Sequence, residues 1–219
     1  ESARPGTYPL FTQLLKAGCI GQASGVELTT LRTKPAGNTG WRLDPQMAGG
    51  GILLDHGWHA FYLSLFLLEA APQTLTATLE KRLFLSAGVE DTVTCDVTFP
   101  QAQARFHLTW ASSQRGNLGL VRGNLGEIRL EDARLELHRP GQACETWVFP
   151  EPLSAGSYHP TWFAALLPEF YQELHEPGLR GRGLREAEIC LRLTLLAYRS
   201  AAQDAQPLVC TQSLDLTVA

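Results

Sequence analysis

The stretch Thr92-Val93-Thr94-Cys95-Asp96-Val97-Thr98-Phe99 alternates polar and apolar residues without a break. Side chains along a strand point to opposite faces in turn, so this pattern predicts a strand with one buried and one polar face. The same alternation recurs over 75–79 and 106–110, and Pro100-Gln101 is short enough to join two of these strands as a hairpin. The pattern therefore predicts an antiparallel sheet that is covered on one side.

Helices are predicted before and after this run of strands along the chain. Further strand patterns occur over 25–32, 127–130, 134–138 and 145–149. Apolar residues at helical spacing predict helices over 9–17, 53–70, 162–175 and 184–202, the third of them kinked or interrupted at Pro168. A run of strands between segregated helices indicates an α+β fold, with one large, mostly antiparallel sheet and helices packed on one face. We expect a single domain over residues 1–219.

The composition excludes several classes of protein. Hydrophobic residues make up 44% of the 219 residues and charged residues 18%, which is enough apolar material for one core. The net charge of −4 provides no basic surface, so no nucleic acid is expected as a partner. The five cysteines contain no C-x-x-C pair, so we expect no metal site, no disulfide framework and a reducing, cytoplasmic location. The most apolar run, 58–68, is too short to span a membrane.

The candidate site lies in Gly49-Gly50-Gly51-Ile52-Leu53-Leu54-Asp55-His56-Gly57-Trp58-His59. Residues four apart on a helix share a face, so Asp55 could accept a hydrogen bond from one ring nitrogen of His59 and leave the other free for proton transfer. Glycines allow a ligand to approach the backbone closely, which makes Gly50 and Gly51 candidate cofactor contacts. The alternative is a glycine turn before a buried helix, with a stabilising Asp–His pair.

Other elements surround this run in a fixed order. Trp41-Arg42 precedes it, and a predicted helix followed by Gly18-Cys19-Ile20-Gly21 comes near the start of the chain. Glu186-Ala187-Glu188 and Ala197-Tyr198-Arg199-Ser200 lie near the end. The ordered set resembles the Gfo/Idh/MocA family of oxidoreductases (glucose–fructose oxidoreductase, inositol dehydrogenase and relatives) over nearly the whole chain.

The resemblance implies that this chain is the C-terminal, substrate-binding and oligomerising domain alone. Its expected fold is that of the C-terminal domains of dihydrodipicolinate reductase and glyceraldehyde-3-phosphate dehydrogenase. The resemblance also implies NAD or NADP as cofactor, but no G-x-G-x-x-G motif follows a strand here, so the nucleotide-binding domain would be a missing partner. Thr33-Lys34-Pro35 mimics the family's E-K-P segment in the wrong domain, and the catalytic lysine is therefore not assigned to Lys34. A homodimer or tetramer formed through the sheet is implied as well.

The resemblance gives the candidate residues definite roles. His59 would be the general base for oxidation of a sugar, cyclitol or related polyol, and Asp55 would orient it. Arg42, with Trp41, would hold the substrate, although a surface ion pair between Arg42 and Asp44 is an equal alternative. Tyr158 and His159 would add substrate contacts, unless they only cap the helix that follows them.

Two neighbours of this site matter for its function. His56 is expected to lie beside the site without taking part, and Tyr62 stands where relatives often have an acid. Tyr62 and the missing domain keep a competing hypothesis open, namely a non-catalytic binding or assembly module that retains the fold. On either hypothesis, this chain alone should bind no NAD(P) and oxidise no polyol.

Overall fold

The fold consists of one nine-stranded sheet with helices on one face. The computed structural model describes residues 7–34, 40–155 and 160–210. The helices are α1 (Thr7–Lys16), α2 (Pro45–Ala48), α3 (Trp58–Leu68), α4 (Pro160–His175) and α5 (Arg182–Ala202). The strands are β1 (Ala23–Thr33), β2 (Thr74–Glu80), β3 (Thr92–Thr98), β4 (Gln103–Thr109), β5 (Ala111–Gly123), β6 (Glu127–Glu131), β7 (Arg134–His138), β8 (Glu145–Val148) and β9 (Leu208–Val209).

The strands lie in the order β8-β7-β6-β5-β1-β4-β3-β2-β9. All neighbours are antiparallel except β1 and β4, which run parallel with Val26 opposite Ala104. A parallel pair needs a long crossover connection, and the chain between β1 and β4 supplies one that carries α2, α3, β2 and β3. The predicted α+β class and the mostly antiparallel sheet are confirmed.

The core lies between the sheet and the helices. A row of paired residues crosses the sheet with every side chain buried, comprising Val97, Ala104, Val26, Val121, Ile128 and Leu137. Phe61 of α3 meets Phe106 of β4 edge-on, with ring centroids 5.2 Å apart. Trp110 is also buried, at 1% exposure, so these large aromatic side chains pack inside the domain itself.

The opposite, open face of the sheet carries many charged side chains. Charged side chains pair across and along its strands, as Arg105 does with Asp96 at 2.6 Å and Arg129 with Glu127 at 2.6 Å. Exposed pairs of this kind contribute about 0–1 kcal/mol each, so each of these ion pairs adds little to the stability of the domain. Association through this face stays a prediction.

The strand β5 was not expected from the sequence, although it is the longest strand described, with 13 residues. Its sequence, ASSQRGNLGLVRG, holds three glycines and no regular alternation. It becomes a strand because it pairs with β1 on one side and β6 on the other. None of the described helices is long and apolar enough to cross a membrane.

Candidate active site

The glycine run leads into a helix whose first turn is a π turn, Leu53–Gly57, continued by α3. The first N–H groups of a helix have no partner within it, and negative charge is favourable at that end. Glu90, only 7% exposed, supplies both the acceptor and the charge. Its carboxylate accepts from the backbone N–H of Gly51 at 3.0 Å and of Leu53 at 2.9 Å. The start of the site helix is therefore fixed by an acid from a distant part of the chain.

Tyr198 of α5 joins the same carboxylate. Its hydroxyl donates to Glu90 Oε1 at 2.9 Å. Burial raises the pKa of Tyr198 far above its usual value, and the charge of Glu90 and this hydrogen bond act in the same direction. The hydroxyl thus remains a donor at any physiological pH, and α5 is tied to the glycine run.

Glu90 is itself held by its neighbour in sequence. Asp91 is fully buried and accepts from the backbone N–H groups of Arg82, Leu83 and Phe84 at 2.7–2.9 Å. Burial alone would raise the pKa of Asp91, but these backbone hydrogen bonds outweigh it and leave the pKa below its usual value. Two adjacent buried acids thus anchor the loop after β2 and the start of the site helix.

The contacts of Glu90 and Tyr198 explain the glycines. A Cβ on Gly51 would lie 1.8 Å from the carbonyl oxygen of Glu90, and one on Gly50 would lie 2.1 Å from the hydroxyl of Tyr198. The groups that approach these two glycines closely therefore belong to the protein itself, not to a ligand. Contact of Gly50 and Gly51 with a cofactor stays a prediction, and the glycine pattern does not require it.

Asp55 and His59 do not form the expected hydrogen bond. The helical spacing argument assumed regular turns, whereas the π turn widens the helix at Asp55 and changes its angular position relative to His59. Asp55 instead lies with Oδ1 3.8 Å from Nε of Arg42, and its side chain is 32% exposed. Neither residue is sealed in the core, since Asp55 is partly exposed and His59 is exposed.

The electrostatic influence of Asp55 still reaches His59. Partial burial lowers the pKa of His59 below its usual value, and the charge of Asp55 opposes that shift without cancelling it. The ring of His59 lies against Trp58, with ring centroids 4.3 Å apart. At neutral pH, His59 is therefore an unprotonated imidazole beside a carboxylate, which is the form that a general base requires.

Trp41 and Arg42 lie beside Asp55. The guanidinium of Arg42 sits over the ring of Trp41, 4.4 Å from its centroid, while Trp41 is 53% exposed. The proposed alternative partner of Arg42, Asp44, instead caps α2 by accepting from the N–H of Gln46 at 2.9 Å. Arg42 is thus paired with an acid of the site, and the aromatic ring beneath it is open to a ligand.

Lys34 is a site residue that the sequence interpretation left out. Its ammonium lies over the buried ring of Trp110, 3.4 Å from the centroid. Burial lowers the pKa of Lys34, the charge of Asp55 raises it, and that of Arg42 lowers it. The charges of Asp55 and Arg42 thus influence Lys34, which follows the end of β1. The tripeptide Thr33-Lys34-Pro35 could have indicated this residue, but Lys34 was not assigned a role because the matching family motif belongs to a different domain.

Of the remaining predicted residues, the structure describes His56 and Tyr62 but not Tyr158 and His159. His56 lies beside the site, with Nδ1 3.0 Å from the carbonyl oxygen of Asp55, and burial lowers its pKa although the charge of Asp55 opposes the shift. Tyr62 stacks on Phe66, with ring centroids 6.5 Å apart. Tyr158 and His159 lie outside the described residues, and their predicted substrate contacts are not tested.

The arrangement combines the carboxylate of Asp55, the neutral imidazole of His59, the cations Arg42 and Lys34, and the exposed indole ring of Trp41. Carboxylate and imidazole accept hydrogen bonds from hydroxyl groups, ammonium and guanidinium donate to hydroxyl oxygens, and aromatic faces pack against C–H surfaces. Such a set is suited to a ligand that carries several hydroxyl groups on a compact carbon frame.

A profile of the GFO/IDH/MocA C-terminal domain matches residues 10–129, more than half of the chain. The match includes Lys34, Trp41, Arg42, Asp55 and His59. The chain belongs to the Gfo/Idh/MocA family. The resemblance drawn from the ordered motifs is thereby confirmed. No curated protein sequence matches the chain.

Solved structures of this family share the fold. A levoglucosan dehydrogenase in complex with NADH and levoglucosan is 18% identical with a TM-score of 0.76, covering 92% of this chain and 62% of its own. An NAD binding oxidoreductase from Klebsiella pneumoniae is 18% identical with a TM-score of 0.72, covering 94% and 63%. An aldose–aldose oxidoreductase from Caulobacter crescentus complexed with glycerol is 22% identical with a TM-score of 0.68, covering 90% and 58%. This chain thus spans less than two thirds of each of these structures.

Proposed function

We propose that this chain is the substrate-binding domain of an NAD(P)-dependent oxidoreductase that oxidises a secondary alcohol of a sugar, cyclitol or related polyol. The observation that carries the proposal is the neutral, exposed imidazole of His59 next to the carboxylate of Asp55 and the cations Arg42 and Lys34. Glu90 and Tyr198 hold the helix that presents them.

In the proposed reaction, His59 accepts the proton of the substrate hydroxyl through a ring nitrogen. The oxygen keeps the electron pair of the O–H bond and forms the carbonyl as hydride leaves the same carbon. Asp55 stabilises the imidazolium that results, and Arg42 and Lys34 hold neighbouring hydroxyl groups. General-base action of this kind contributes about 10²–10⁴-fold in rate.

A nicotinamide cofactor supplies the acceptor for the hydride when it is bound. The described residues do not fit a dinucleotide site, because Gly50 and Gly51 are packed against Tyr198 and Glu90 and no G-x-G-x-x-G turn occurs. The cofactor would therefore be held by another domain, in agreement with the greater length of the solved relatives, one of which is a complex with NADH. Its choice between NAD and NADP depends on that domain.

The relatives support the substrate class. Levoglucosan and glycerol, which are present in two of the solved structures, both carry several hydroxyl groups. We propose in addition that the open face of the sheet forms a homodimer or tetramer interface and that the protein works in the cytoplasm.

Substrate binding can be tested on the chain as it is. Nuclear magnetic resonance titration with levoglucosan, glycerol, myo-inositol and glucose should shift the ring signals of His59, and Arg42→Gln should weaken that binding. His107→Gln, a change on the open face of the sheet, is the matched control and should leave binding unaltered. Absence of any response to these polyols at millimolar concentration would contradict the proposed substrate class.

Catalysis requires the nucleotide-binding domain on the same polypeptide. In that protein, His59→Gln should lower kcat for the best polyol by about 10²–10⁴-fold, the range for general-base action. An unchanged kcat would remove His59 from the mechanism. If polyols bind but no cofactor is reduced, the chain is a binding module, the alternative favoured by the pairing of Asp55 with Arg42 instead of His59.

A further inference from the structure

A second cluster of reactive side chains lies at the β7–β8 hairpin, outside the candidate active site. Glu136, His138 and Cys144 each offer one ligand atom, and these atoms lie within 4.8 Å of one another. Cys144 is exposed, and the other two side chains are partly exposed. A carboxylate, an imidazole and a thiol together are a recognised ligand set for zinc.

The local sequence explains why these residues meet. Glu136 and His138 are two residues apart on β7, so both point to the open face. Leu135, before them, and Leu137, between them, are buried in the core. Their positions are fixed because the register of β7 is set by its apolar face.

The turn after β7 returns the chain to the same face. Pro140-Gly141 stands at its centre, Gly141 has φ of +72°, and the N–H of Gln142 donates to the carbonyl of Arg139 at 3.1 Å. These are the features of a type II turn, with proline second and glycine third. Glu136 then pairs with Thr146 across the hairpin, which places Cys144 next to His138.

The distances suit a tetrahedral ion. With Zn–N near 2.05 Å and Zn–S near 2.3 Å, tetrahedral angles require about 3.6 Å between nitrogen and sulfur. Sγ of Cys144 lies 3.6 Å from Nε2 of His138. Oε2 of Glu136 lies 2.9 Å from that nitrogen and would have to retreat by about half an ångström to reach the spacing that these bond lengths demand. Small side-chain rotations at an exposed hairpin suffice for that movement.

We propose that Glu136, His138 and Cys144 form a binding site for Zn²⁺ with three protein ligands and a fourth position open to water or another ligand. The thiolate and imidazole favour zinc over Mg²⁺ and Ca²⁺, which prefer oxygen ligands. Arg134 pairs with Oε1 of Glu136, which leaves Oε2 of that carboxylate available to the ion. No metal site was predicted at these residues, because their spacing, E-x-H-x5-C, is not that of a C-x-x-C zinc motif.

The test is a zinc titration of the whole chain in competition with a chromophoric chelator. One equivalent of Zn²⁺ should bind, and Co²⁺ in its place should give the charge-transfer absorption of a cobalt–thiolate bond. Cys144→Ser and His138→Gln should each weaken zinc binding by more than about 100-fold, since losing even an outer-shell group weakens it about 10–100-fold. Because both positions lie at the surface, circular dichroism should show unaltered folding.

Cys19→Ser is the matched control, since Cys19 is another free thiol that is not buried, and it should bind zinc as the parent does. The proposal fails if the chain does not compete for Zn²⁺ at micromolar concentration. It also fails if zinc is bound as tightly by Cys144→Ser as by the parent, which would place the ion elsewhere.

Discussion

Two carboxylates at the segment 51–59 have different surroundings: Glu90 packs against the segment, and Asp55 belongs to it. Glu90 is buried and accepts from Gly51, Leu53 and Tyr198. Asp55 is about one-third exposed, and its ion pair with Arg42 is 3.8 Å long. The oxygens of Glu90 accept hydrogen bonds from the protein and fix the start of a helix. The oxygens of Asp55 remain available to accept hydrogen bonds from a ligand. The geometry of the site therefore depends on Glu90, while its proposed chemistry depends on Asp55 and His59.

The largest effect should come from removing the structural acid. Glu90→Ala leaves two backbone N–H groups and one hydroxyl without their acceptor, and each unsatisfied buried group costs about 1–3 kcal/mol. Allowing for entry of water, we expect the free energy of unfolding to fall by about 3–5 kcal/mol. Asp55→Ala should lower it by less than about 1 kcal/mol, as for other weak ion pairs near the surface. Urea unfolding of both variants measures the difference, and equal losses would abolish the distinction between the two acids.

A methyl group at the contact with Glu90 should be nearly as harmful. Gly51→Ala places Cβ 1.8 Å from a backbone carbonyl oxygen, which must move. Overpacking of this kind costs about 1–3 kcal/mol and sometimes more. Gly116→Ala is the control, because nothing lies within 4 Å of the added Cβ and the residue has no positive φ. Thermal unfolding should show a lower Tm for the first variant only, and a tolerated Gly51→Ala would refute the packing explanation of the glycine run.

Loss of the Tyr198 hydroxyl, which donates to Glu90, should lower the stability by less. Tyr198→Phe removes one hydrogen bond to a charged acceptor and leaves the two backbone donors in place. Such a bond contributes about 1.5–3 kcal/mol, and the remaining donors should reduce the loss to the lower end of that range. Chemical unfolding of this variant should therefore give a stability between those of the parent and Glu90→Ala. A loss as large as that of Glu90→Ala would mean that Tyr198, not the carboxylate, holds the helix.

The smallest effect on stability, and the most direct test of Asp55, concerns pH. The pKa of His59 is lowered by burial and raised by Asp55, so Asp55→Asn should lower it further. Nuclear magnetic resonance should place the His59 midpoint below 6.5 in the parent and lower still in Asp55→Asn. A midpoint that rises or stays unchanged in Asp55→Asn would show that Asp55 does not act on this imidazole.

The lowered pKa of His59 also sets the sign of its effect on stability. Between that pKa and the unfolded value near 6.5, the unfolded chain binds more protons than the folded one. His59, together with His56, therefore contributes stability above pH 6.5 that is lost as the pH falls towards the folded pKa values. Urea unfolding between pH 8 and pH 5 should show this loss, and His59→Gln should reduce it.

Much of the fold could be predicted because local patterns report burial directly. The period-two alternation in β3 and β4 and the helical spacing in α5 gave their positions to within a few residues. Strand β5 was missed because its glycines and polar residues lack a period, and its structure depends on pairing with β1 and β6. The parallel pairing of β1 with β4 was missed for the same reason, since no local pattern specifies which strands become neighbours.

The family, the fold class and the presence of Asp55 and His59 on one helical segment could be read from the sequence, because short-range spacing encodes both helix faces and motifs. The surroundings of these two residues depend on tertiary contacts. Glu90 lies 39 residues from Gly51 and Tyr198 lies 108 residues from Glu90, yet these contacts explain the glycines and set the start of the helix. The pairing of Asp55 with Arg42, the approach of Lys34 and the meeting of His138 with Cys144 likewise depend on chain turns that bring separate segments together, and composition and spacing do not specify those distances.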